Sequence, residues 1–162
     1  MTSDFAKALG IGAAVIVVAV LGIVYMQRGA HTELQGKVLK VRTAPLDDAN
    51  SVAVVDFRIT NPASYPFMVR TVSLIMEDNA GNQYQGAVSS EVDAKRLFEG
   101  VPILGQKYNT TLLMRERIAP GTTQDRMVAA QFGAPETRLA GRKRFILRIE
   151  EMDGPVFDFP EK

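Results

Sequence analysis

The stretch FRITNPASYPFMVRTVSL, residues 57–74, decides how the chain reads. Leading into it, Ala53, Val55, Phe57 and Ile59 fall on one side of a two-residue repeat, while Asp56, Arg58 and Thr60 fall on the other. That alternation is the pattern of a strand with one buried face. Pro62 and Pro66 then end the strand, because neither can donate a ladder hydrogen bond. Phe67 opens a second run in which Val72, Leu74 and Met76 share a face. Two half-apolar strands joined by a proline-bounded turn are the repeating unit of an antiparallel sheet.

The same signals continue outward on both sides. A first strand is expected from Val38, after a polar linker over residues 29–37. DNAGNQ, residues 78–83, supplies a hairpin in which Gly81 takes a positive φ at no steric cost, and QYQGAV returns from it. NTTLLMRERI, QDRMVAAQF and RFILRIEE, with VFDF after the MDGP turn, complete a set of seven to eight strands. Short strands at this spacing predict an all-β, immunoglobulin-like antiparallel β-sandwich over residues 38–162. Its core is predicted to be built from Val55, Phe57, Ile59, Val72, Leu74, Phe145, Leu147 and Ile149.

Several residues of these turns and strands carry a resemblance. They are Thr60-Asn61 at a strand end, the Asp78/Gly81 hairpin with Tyr84 behind it, the Pro120-Gly121 turn and the closing RFILRI run. Together they resemble bacterial envelope modules of telokin-like, immunoglobulin-like fold, and also the water-stress and hypersensitive-response domain of late-embryogenesis-abundant proteins. The resemblance spans roughly residues 38–157 and implies a fold and an envelope location; its residues are turn and core positions and imply no activity. The stretch between Gly86 and Asn109 departs from the compact pattern.

The amino terminus reads differently. From Ala8 to Met26 nineteen residues run without a charge, enough for a helix to cross a hydrocarbon core about 30 Å thick. Lys7 and Arg28 bracket the run, and Phe5 and Tyr25 sit at interfacial depth. A cleavable signal peptide has a shorter apolar core and a small-x-small exit, which VYMQRGAH does not offer. Residues 1–28 are therefore expected to be a retained single transmembrane helix, a signal anchor with its flanks. Lys37, Lys40 and Arg42 place more positive charge after the helix than before it, which favours a cytoplasmic domain. Domains translocate largely regardless of such charges, and a seven-residue amino terminus suits export, so the domain is placed in the periplasm of a bacterial inner membrane. Ala6, Gly10, Ala14 and Gly22 form a small-residue stripe of the kind that lets membrane helices approach closely.

Composition narrows the chemistry. Lys and Arg number 19 against 18 Asp and Glu, and setting aside Asp4, Lys7 and Arg28 around the anchor leaves the signs balanced. Nucleic-acid binders usually carry a basic excess, so no nucleic-acid partner is expected. There is no cysteine, and the single histidine, His31, lies in the linker, away from any strand that would build a triad. Asp47 and Asp48 lack the further acidic positions of a calcium loop and read as a solvated turn. No phosphate-binding glycine loop is present. The basic run RLAGRKRFILR alternates with core residues and is followed by Glu150, Glu151 and Asp153, so it reads as a solvated strand face. Neither an enzyme nor a cofactor is expected.

The Gly86–Asn109 stretch offers the remaining candidate. Ser90 can cap a short helix that aligns Ala94, Leu97, Phe98 and Val101, with Ile103 and Leu104 following. Such a segment either plugs an open end of the sandwich or forms a docking surface made of Leu97, Phe98, Val101, Ile103 and Leu104. These features point to a non-catalytic accessory or scaffold subunit that packs on a larger membrane complex, such as an energy-transducing, secretion or transport assembly. Its expected partners are other membrane protein subunits and the lipid bilayer. The alternative is a tethered envelope module that binds a peptide, polysaccharide or small ligand.

Overall fold

The computed structural model describes residues 2–27, 33–152 and 154–161, and within the first helix the side chains of Gly10 and of residues 12–23. The chain divides after residue 32 into two units. The first is helix α1, Thr2–Gln27, whose described side chains are all exposed. Among the described residues no helix is long and apolar enough to cross a membrane. The side chain of Ala6 and the linker residues 28–32, His31 among them, lie outside the described residues.

The second unit is mostly β. Its strands are β1 Gln35–Pro45, β2 Ser51–Thr60, β3 Phe67–Glu77, β4 Gln83–Val88, β5 Arg117–Ile118, β6 Thr123–Phe132, β7 Arg144–Glu151 and β8 Val156–Pro160. They pair antiparallel in the order β1-β2-β6-β4-β3-β7-β8, with β5 on β3. The sheet curls because β4 serves two neighbours: residues 83–86 pair with β3, whereas Ala87 and Val88 pair with β6. Gly86 is the pivot. A Cβ there would lie 2.7 Å from the Phe132 ring and 2.9 Å from the Ala130 Cβ, so only glycine lets the strand pass this close.

The curl brings β2 and β6 opposite β3 and β7 around one apolar core. All eight expected core residues are buried in it, joined by Phe67, Leu112, Ile118, Phe132 and Leu139. The Asp78 hairpin turns as anticipated, with Gly81 at φ +87° and the Asp78 carboxylate accepting from the Ala80 and Asn82 N–H groups.

Four expectations are corrected. β1 begins at Gln35 rather than Val38, and Leu34 before it is already buried, so the linker is shorter than 29–37. NTTLLMRERI is not a strand; it makes one parallel bridge, Thr111 with Met127, then a turn in which Arg115 takes φ +64°, before β5 supplies two residues. A short helix, Glu136–Ala140, buries Leu139 where none was anticipated. Finally, β2 is buried on both faces for most of its length, not half-buried.

The last correction traces to the insertion. Helix α2, Glu91–Gly100, is capped by Ser90, whose Oγ accepts from the Asp93 N–H at 3.1 Å. A 3-10 turn, Pro102–Leu104, follows. These pieces cover the outer face of the β1-β2-β6 half, not an end of the sandwich, and enclose a second small core. Ala94 and Leu104 meet Val52, Val54, Met127 and Ala129 there.

Candidate functional site

A strand that changes partners leaves a gap behind it. β3 pairs with β5 up to Met68 and with β4 only from Leu74, so residues 70–73 have no strand partner on that side. Just before them, the Val69 N–H donates to the Glu116 carbonyl at 3.0 Å, and the Val69 carbonyl accepts from the Arg115 N–H at 2.7 Å. The opposite wall is the segment that leaves β6: the Leu112 N–H donates to the Met127 carbonyl and the Met127 N–H to the Thr110 carbonyl, both at 3.0 Å. Thus β4 and residues 110–116 both cross between the halves of the sheet, and they diverge as they do so.

Between them opens a cleft of ≈ 450 Å³ over Val72, Val88, Leu112, Leu113 and Met114, with Ser89 and Ser90 at its polar margin. Val72 and Leu112 belong to the main core, so the cleft reaches the apolar interior through the side of the domain. Ser90 is committed to the helix cap and the Ser89 N–H to the Ala129 carbonyl at 2.8 Å. What remains is a stretch of β3 without a strand partner beside an apolar recess, exposed at Arg70 and buried at Val72 and Ser73. That combination suits an extended segment, which would add hydrogen bonds along the edge and seat an apolar side chain in the recess.

The residues singled out in the sequence are placed otherwise. Leu104 is 1% exposed, which removes it from the expected docking set; Leu97, Phe98 and Val101 are partly buried against the second core. Of the five only Ile103 stands out, at 75% exposed. The insertion is clamped from below by a buried ion pair: Arg42 Nη2 donates to Asp56 Oδ2 at 2.6 Å, with 9% and 6% of the two side chains exposed. Arg42 Nη1 also donates to the Leu104 and Gln106 carbonyls, Asn109 donates to Asp56 Oδ1, and the guanidinium lies over the Phe98 and Tyr108 rings. Gly10, Ala14 and Gly22 of the helix stripe are exposed on α1.

A second clamp is titratable. Burial raises the Glu91 carboxyl, but hydrogen bonds from the Lys107 ammonium at 2.7 Å and the Thr111 N–H at 2.8 Å outweigh it and hold the group at about 2, against an ordinary 4.5. Its folded value lies below its unfolded one, so its contribution is present above pH 4.5 and is lost as the pH falls toward 2. Thermal unfolding followed by circular dichroism should therefore weaken between those values. Glu91→Gln should start weaker at neutral pH and lose less on acidification; parallel losses would contradict the assignment.

The basic run is paired rather than free. Arg142 bonds Glu161, Lys143 and Arg144 bond Glu77, Arg148 bonds Asp158, and Arg138 lies over the Tyr84 ring. Asp47 closes its own turn by accepting from the Ala49 and Asn50 N–H groups. Among the described residues no three His, Cys, Asp or Glu side chains are placed to hold a metal ion.

The cleft was not identified in the sequence, although two signals bear on it. Leu112, Leu113 and Met114 are three consecutive apolar residues, which no single strand face can bury, and Gly86 sits inside a strand where close backbone approach is the usual reason.

No family model and no curated protein matches the chain. Among solved structures it is similar to the putative ApaA protein from Bordetella pertussis, at 18% identity over 81% of this chain and 89% of that one, with a TM-score of 0.37. A conserved hypothetical protein from Bacillus anthracis matches at 14% identity over 82% of this chain and 91% of that one, TM-score 0.40. An uncharacterized β-sandwich protein from Clostridium difficile 630 matches at 12% identity over 82% and 90%, TM-score 0.37.

Proposed function

We propose that the chain is a non-catalytic accessory subunit, anchored in a bacterial inner membrane by α1, whose periplasmic immunoglobulin-like domain holds an extended segment of a larger membrane complex. The observation that carries this reading is the unpaired edge of β3 at residues 70–73 beside the apolar cleft. A sheet edge left open next to exposed apolar surface is an aggregation hazard, and a standing partner removes that hazard. The uncharged run Ala8–Met26 supports the anchor, and a partner's membrane helix would pack on the stripe of Ala6, Gly10, Ala14 and Gly22.

The test is the double variant Val88→Glu, Leu113→Glu. Both side chains are already exposed, at 37% and 42%, so the fold should survive with little change. Charge in the recess should abolish co-purification of the neighbouring subunits. Full retention of partners by a folded double variant would overturn the reading. The cleft volume also lies within the ~300–1,000 Å³ of small-ligand sites, which favours a tethered binding module as the second reading. In that case the solubilised protein should run at the size of a single chain and still lose its ligand in the same variant.

A further inference from the structure

One end of the domain is unlike the rest of its surface. It carries the β2–β3 loop, the β5–β6 turn and the junction of β7 with β8, and β1 begins there, Gln35 pairing with Thr60. Arg70, Arg115 and Arg117 are exposed at this end, and their guanidiniums have no ion-pair or hydrogen-bond partner among the described residues, in contrast to the paired arginines of β7. Met114, 68% exposed, and Met152 line the same shallow depression as Arg70 and Arg115. Some acidic groups nearby are spent, Glu116 on Arg126 and Asp125 on Arg58, which leaves the exposed Glu33, Glu150, the buried Glu151 opposite Val69 and, in the sequence, Asp153.

Arg115 adds a second observation. It holds φ +64°, a conformation in which glycine is unstrained and other residues are not, at the tip of a tight turn pinned by its own N–H on Val69 and by the Leu113 N–H on Glu116. A charged side chain kept where glycine fits better points to use of the side chain rather than of the backbone.

We propose that this end docks on an anionic phospholipid surface, the three guanidiniums engaging headgroup phosphates while Met114 and Met152 enter the interface. The inference rests on the reading of α1 as an anchor, which brings the chain to a bilayer. Guanidiniums are suited to phosphate oxygens because they donate two parallel hydrogen bonds. Exposed methionines fit because they bend to an irregular apolar surface.

The experiment is hydrogen exchange of the full chain in nanodiscs, phosphatidylcholine alone against phosphatidylcholine with phosphatidylglycerol. Segments 68–71 and 113–117 should be protected only in the anionic discs, and each of Arg70→Glu, Arg115→Glu and Arg117→Glu should reduce that protection by about fivefold. Arg115→Gly relieves the backbone strain, so it should keep the fold and still lose about the same factor. Equal exchange in the two lipids overturns the proposal whether or not the chain enters the discs, because an engaged anionic headgroup must make the two differ. Failure to co-elute with either disc, by contrast, would overturn the anchor.

Discussion

Truncating Phe57 to alanine should lower the stability of the domain by about 3 to 5 kcal/mol, the usual cost of removing a fully buried aromatic ring whose cavity cannot collapse. Phe57 has no exposed surface and lies on β2 between Val38 of β1 and Arg126 of β6, so strands on both sides hold the backbone in place around any void. The core cluster it belongs to also draws on the opposite half of the sheet, Leu74 and Phe145 among its members, and those strands are paired to each other. Denaturant unfolding read by circular dichroism should show a lower midpoint with an unchanged slope. A midpoint equal to the parent's would mean that the inward face of β2 is misassigned, and with it the whole register of the sheet.

A loss of similar size, about 3 to 5 kcal/mol, should follow Arg42→Met, for an electrostatic reason. The substitution keeps an unbranched apolar stem but removes the cation opposite Asp56, which then sits buried with the Asn109 amide as its remaining side-chain donor among the described residues. It also strips the Leu104 and Gln106 carbonyls of their donor, so the insertion should detach from β1 before the main core unfolds, with faster hydrogen exchange over residues 98–109. The double variant Arg42→Met, Asp56→Leu should be milder than the single one, because no uncompensated charge remains. If the double variant were the worse of the two, the pair would be contributing net stability rather than merely being costly to break.

These two predictions also mark what could be read in the residues alone. Phe57 belongs to a clean alternation, and where alternation ran through β2, β3 and β7 the inward faces followed directly, because period-2 patterning depends only on neighbours in sequence. Asp56 read as an ordinary outward charge of a half-buried strand, and Arg42 only as one of the positive charges that follow the helix. Only the arrival of Leu104, Gln106 and Asn109 from an insertion some fifty residues further on buries them, and no local pattern announces that. The same holds for the cleft. Its walls are β4 and residues 110–116, each of which is unremarkable until the curl of the sheet makes them cross and part. Ser90 with Ala94 was legible as a capped helix, but which surface that helix covers is a long-range fact, and the outer face of β2 was not among the alternatives its pattern suggested. Arg115 was hidden for a different reason: a positive φ at a charged residue leaves no compositional trace.

In the proposed function, a membrane-anchored domain uses the open edge of β3 to hold a subunit of a larger complex. The most direct measurement is the native mass of the protein after extraction from its own membranes in a mild detergent. The protein should migrate with a large assembly at fixed stoichiometry and be released as a folded single chain once Val88→Glu and Leu113→Glu are introduced. A wild-type protein that runs as a single chain, or a folded double variant that stays with the assembly, would contradict it.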